Sequence, residues 1–145
     1  RRIGAVSWDA SRALGVFQYD PAFVGAGIEV APLKMPVREA PYEFPALRKE
    51  TFKGLPGMLA DALPDKFGNR LIDAWLAETG RSADRFSPVD RLCYIGNRGI
   101  GALEFEPTVR KAATKPRDAY SPPPLPTMTM SFTTNGALVA LKPSL

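Results

Sequence analysis

Fifteen prolines in 145 residues limit this chain's fold more tightly than any other feature. A proline donates no main-chain hydrogen bond and is rejected by helix interiors and inner strands, so its positions mark where regular structure is allowed. Five of the eleven residues from Pro116 to Pro126 are proline, a run that favours extended polyproline backbone over packing. On that ground residues 1–107 form a domain, 108–126 a basic proline-rich linker, and 127–145 a tail or the truncated start of a following domain. The last segment holds one strand-like run, Ala137-Leu138-Val139-Ala140-Leu141, which stops at Lys142-Pro143.

Before Pro107 the remaining prolines punctuate recognisable elements. Ile3 to Trp8 and Leu14 to Tyr19 read as strands joined by the polar turn Asp9-Ala10-Ser11-Arg12, and Asp20-Pro21 closes the pair, which predicts a hairpin. Ile28 to Val37 reads as an edge strand, since Pro32 and Pro36 cannot donate to a ladder. A helix follows Pro64-Asp65, with proline in its first turn and Phe67, Leu71, Ile72, Trp75 and Leu76 as a core stripe ending before Gly80. A shorter helix starts at Ser87 as cap, with Pro88 at the first position, Asp90 at the third, Val89, Leu92 and Cys93 on one face, and Gly96 as its stop. Leu103-Glu104-Phe105-Glu106 alternates as a half-buried strand. Strands, then helices, then a strand describe an α+β domain: a small antiparallel or mixed β-sheet with two to three helices packed on it.

Composition narrows the chemistry by elimination. With no histidine there is no serine-histidine triad and no histidine acid or base, and one cysteine, Cys93, makes neither a disulfide nor a zinc knuckle. Cys93 falls in an apolar helical pattern and reads as a buried structural thiol. There is no P-loop, no His-Arg-Asp catalytic loop, and Asp65-Lys66-Phe67-Gly68 resembles a metal-binding Asp-Phe-Gly only by accident. The glycine-rich stretch Gly96-Asn97-Arg98-Gly99-Ile100-Gly101 joins a helix to a strand, so it reads as a tight turn and not as a phosphate cradle. Asp61 and Asp65 serve helix termini. No catalytic, cofactor-binding or metal-binding residue is assigned.

The net charge of +4 is not spread over the domain. Residues 1–106 hold fourteen basic and fourteen acidic side chains, and the surplus lies beyond, with Arg110, Lys111, Lys115, Arg117 and Lys142 against Asp118. That is a solvated linker more than a nucleic-acid surface. No apolar run approaches the about 20 residues of a membrane span, and Arg1-Arg2-Ile3-Gly4 lacks the apolar stretch of a secretory signal. The pattern opens inside a strand, as in a trimmed chain. A cytoplasmic location, with no membrane contact, is expected.

Two blocks resemble a known family. The segment Phe52-Lys53-Gly54-Leu55-Pro56-Gly57-Met58-Leu59-Ala60-Asp61-Ala62-Leu63-Pro64-Asp65, followed by Gly68 and Leu71, resembles the "glycine-leucine-proline, then aspartate-x-leucine-proline-aspartate" block of HipA N-terminal domains. Arg91-Leu92-Cys93-Tyr94-Ile95-Gly96-Asn97-Arg98-Gly99-Ile100-Gly101-Ala102-Leu103 is similar to that family's second block, and Phe17 to Pro21 and Pro32 to Pro36 fit its strands. The resemblance implies a non-catalytic domain that packs beside the core of a serine/threonine kinase toxin, whose helix-turn-helix antitoxin restrains it. ATP and Mg2+ then belong to the kinase core, in the same or a separate chain, and not to these residues. A free-standing small-domain antitoxin that inhibits a separate kinase fits the same resemblance.

Within that reading the expected interaction residues are Leu55, Pro56, Met58, Leu59, Leu63, Pro64 and Asp65, since the first block carries more apolar groups than one short segment packs by itself, with Asn97 and Arg98 on the glycine turn next. Two other classes stay open. One is a helix-turn-helix DNA module using Arg81, Arg85, Arg91 and Arg98, although its short reader helix offers few groups for base edges and no direct DNA contact is expected. The other is a small enzyme built on Asp and Glu.

Overall fold

The computed structural model of the chain describes residues 1–99, 101–107 and 136–141. Strands β1 (Arg2–Asp9) and β2 (Leu14–Tyr19) form the predicted hairpin. Asp9 fixes its turn, accepting from the amide and hydroxyl of Ser11 and from the amide and guanidinium of Arg12. The Ser11 hydroxyl and then Arg12 hold the Asp9 carboxyl well below its ordinary range. Arg12 also reaches Glu43 at 2.7 Å, tying the turn to the loop that follows.

Strand β3 (Leu103–Pro107) lies where the alternation places it. The sheet's fourth strand, β4 (Gly136–Leu141), is the run that the proline argument leaves to a tail or a following domain. It sits instead between β1 and β3, in a four-stranded sheet of order β2-β1-β4-β3 whose neighbours are all antiparallel. The register explains the fit: Ala137 and Val139 face inward and are fully buried beside Val6 and Phe105. A sheet without β4 would leave Ile3, Val6 and Phe105 short of neighbours on that side. The expected linker, 108–126, and residues 127–135 lie outside the described residues.

The predicted edge strand at Ile28–Val37 is not formed. That segment folds into turns and bends, and the edge of β2 is covered by a single bridge in which Phe17 and Tyr42 exchange backbone hydrogen bonds. Prolines 32 and 36 withhold the donors a strand needs, so carbonyls here are met by side chains. The Tyr19 hydroxyl donates to the Met35 carbonyl at 2.7 Å and the Tyr42 hydroxyl to the Pro36 carbonyl at 2.6 Å. Met35 is thereby drawn into the core.

Helices follow. α1 (Pro21–Val24), α2 (Lys49–Phe52) and α3 (Gly57–Ala60) are single turns. α4 (Lys66–Glu78) is the long helix, and a 3-10 turn at Ala83–Arg85 leads to α5 (Pro88–Ile95). Pro64 is not in the first turn of α4 as expected: Asp65 takes the cap position and Pro64 precedes it. α5 starts as the sequence predicts, with a capping box between Ser87 and Asp90 and with Pro88 at the first position. Gly96, at φ +58°, ends it.

α5 packs against β1, β3 and β4 and inserts Val89, Leu92 and Cys93 into one core with Ile3, Val6, Phe17, Tyr19, Leu55 and Leu59. α4 does not share that core; its Ile72 and Leu76 form a second, smaller cluster with Phe86. Burial pushes the Cys93 thiol up to about 12, with the neighbouring Asp90 carboxylate adding to the shift. Cys93 in the native protein should therefore react with iodoacetamide at pH 8 at least about a hundredfold more slowly than in urea-unfolded chain; native labelling at the unfolded rate would contradict the packing of α5.

Candidate interaction surface

The most recognisable sequence block is largely occupied in holding itself in place. Gly54, at φ +78°, lets its backbone lie so close to Ala13 and Trp8 that a side chain would collide with the Ala13 carbonyl. Its own carbonyl accepts from the Gly15 amide at 2.7 Å, which pins the segment to the hairpin. Leu55 and Leu59 then drop into the core at 1% and 0% exposure, and Pro56 is buried between them. Met58 and Leu63 are half-buried and pack on the same core. Leu55, Pro56 and Leu59 are thus interior residues, not members of the surface patch expected of the block.

The end of the block sets up α4. Asp65 accepts from the Gly68 amide at 2.7 Å, as a helix cap does. Gly68 has no room for a side chain, since a Cβ would come within 2.8 Å of Pro64. Asn69 donates its amide to the carbonyls of Pro64 and Asp65, closing the first turn again from the side. Asp65 serves a helix terminus as expected, while Asp61 sits at the end of α3, where its backbone amide and not its carboxylate is engaged.

The apolar stripe of α4 is not all core. Each helical residue advances about 100°, so the arc from Phe67 through Leu71 and Trp75 to Ile72 and Leu76 spans about 180°, more than one buried face takes. Ile72 and Leu76 point inward; Trp75 is half-buried between Phe86 and Tyr94. Phe67 and Leu71, one turn apart at the outer end of the arc, are 68% and 54% exposed. Leu33 is exposed too, at 93%, but on a loop far along the chain. The width of that arc is the signal by which the sequence could have revealed Phe67 and Leu71 as a surface pair.

The other flank of α4 is held by Arg91 of α5. Its guanidinium donates to Asn69 Oδ1 and to Asp73 Oδ1, both at 2.8 Å, and closes one wall of a groove of about 510 Å³ that Leu63, Pro64 and Lys53 also line. Arg91 is thereby committed to α4, and α5 buries Val89, Asp90, Leu92 and Cys93, the opposite of what a DNA-reading helix does with its face. Asp90 itself is the one buried acid among the described residues; burial raises its carboxyl, against the Ser87 bonds that lower it. Asn97 and Arg98 are exposed on the glycine turn, with the Arg98 guanidinium donating to the Tyr94 carbonyl at 2.6 Å. The turn lies after α5, and Arg98 sits over Tyr94, whose ring packs on Trp75 of α4. Among the described residues no group of three or more His, Cys, Asp or Glu side chains is placed to hold a metal ion, and no helix is long and apolar enough to cross a membrane.

Compared with known protein families, residues 1–106 match the HipA N-terminal domain. No curated protein and no solved structure matches. The chain belongs to the HipA N-terminal domain family, and with it to the sphere of toxin-antitoxin systems. The family match stops before β4, which this chain adds to the sheet from residues beyond it.

Interior and surface roles separate under mutation. Leu59→Ala should destabilise the domain by about 2–5 kcal/mol, and Phe67→Ala by less than about 0.5 kcal/mol, in urea denaturation. Equal losses would contradict the exposure of Phe67.

Proposed function

We infer that this domain packs on the core of a HipA-type serine/threonine kinase, in the same chain or a separate one, and that α4 presents Phe67 and Leu71 as its contact. The observation that carries the reading is the adjacent exposure of these two large apolar side chains on a helix whose other flank and first turn are tied into the fold. Single exposed leucines are ordinary, whereas two such groups one turn apart on a small domain make a patch that a partner gains by covering. Burying the Phe67 side chain alone contributes about 1.5–3 kcal/mol. Phosphoryl transfer, with its ATP and Mg2+, belongs to that core, and the helix-turn-helix antitoxin joins the same assembly. The domain's own part is to bind.

Calorimetric titration with a HipA-type kinase core that lacks its own N-terminal domain tests this. Phe67→Asp and Leu71→Asp should each weaken association by at least about tenfold, or 1.4 kcal/mol, with melting unchanged, while Leu33→Asp binds like the parent chain. Undiminished binding by both α4 variants would place the contact elsewhere.

A further inference from the structure

We propose that Arg91 is a positioning residue, which clamps α4 from α5 and so sets the pose of the Phe67 and Leu71 face; its link to docking rests on the function proposed above. The need for such a clamp follows from the packing. α5 is fixed by Val89, Leu92 and Cys93 in the main core, whereas α4 meets the rest of the domain through the smaller cluster of Ile72, Leu76 and Phe86, with Trp75 and Tyr94 packed against it. A few apolar contacts are non-directional and leave rotation and sliding of a helix weakly determined. Hydrogen bonds from a planar guanidinium are directional, and this one spans two residues one turn apart on α4, Asn69 and Asp73. Asn69 passes the constraint to the helix start, since its amide holds the carbonyls of Pro64 and Asp65, just before Phe67. The Arg91 side chain is 18% exposed, so the bonds are better shielded from water than a surface pair. Asn69, Asp73 and Arg91 lie outside the apolar pattern, which is why only the structure brings them together.

Amide hydrogen exchange on the full 145-residue chain tests the clamp without any partner. In Arg91→Gln the α4 amides should exchange at least about fivefold faster while those of β1 and β4 keep their rates. Asp73→Asn, a change at a half-exposed position, should do the same to a smaller degree and remain folded even if Arg91→Gln does not. The double variant should exchange no faster than Arg91→Gln alone, because both remove one interaction. Arg91→Lys should recover only part, an ammonium being unable to span both acceptors. Unchanged α4 exchange, or acceleration spread equally over the sheet, overturns the clamp. For docking, Arg91→Gln should bind the kinase core at least about threefold more weakly although its side chain lies off the Phe67 flank; normal affinity beside faster α4 exchange overturns the link. If the parent chain binds no kinase core, the proposed function fails, and the exchange pattern still decides the clamp.

Discussion

The helical half of the domain depends on one close backbone approach, that of Gly54 to the β1-β2 turn. Because residue 54 has no side chain and a left-handed backbone, its carbonyl reaches the Gly15 amide and the chain passes beneath Trp8 and Ala13. Leu55 follows directly from that contact. Leu55 and Leu59 enter the core, Pro64 and Asp65 follow at a fixed exit, and α4 leaves the body with Asp65 as its cap. Most of the residues that make the block recognisable as sequence are therefore residues of construction, while Leu71, at its end, stays exposed on α4 beside Phe67.

What could be read from the sequence was what local chemistry decides. The hairpin rests on an Asp9-Ser11-Arg12 turn, and α5 on a Ser87-Asp90 capping box; each signal lies within four residues of its effect. The strand character of Ala137–Leu141 was legible as well, but its partner strands were not, since the pairing joins residues 2–7 to residues 136–140 and nothing near residue 137 encodes it. The failure at Ile28–Val37 has another cause: the prolines do withhold donors, but the hydroxyls of Tyr19 and Tyr42, not a neighbouring strand, take up the Met35 and Pro36 carbonyls. For the surface, an excess of apolar groups in the first block was visible, yet which of them lie inside depends on Gly54 and on the hairpin it meets. Asn69 and Asp73 carried no pattern, and Arg91 was visible only as part of the second block and as one of several arginines, until the fold places its guanidinium 2.8 Å from each of them.

The two flanks of α4 divide the work. One is spent on Asn69 and Asp73 toward Arg91; the other carries Phe67 and Leu71 outward, with Trp75 between them and the inner face. Phe67 and Leu71 make part of the solvent-facing side of this helix apolar, and the proposed binding role rests on that feature. Four carboxylates have structural duties: Asp9 closes the hairpin turn, Asp65 caps α4, Asp73 meets Arg91 and Asp90 completes the α5 cap. The family match establishes a HipA N-terminal domain, and the binding role beside a kinase is the reading proposed above.

The most direct test of that account is site-specific photo-crosslinking to a HipA-type kinase core, with benzoylphenylalanine placed at position 67 in one sample and at position 33 in another. Both side chains are exposed in the free domain, so accessibility does not bias the comparison. The account predicts a crosslink to the kinase core from position 67 and none from position 33. A crosslink from position 33 with none from 67 would contradict it.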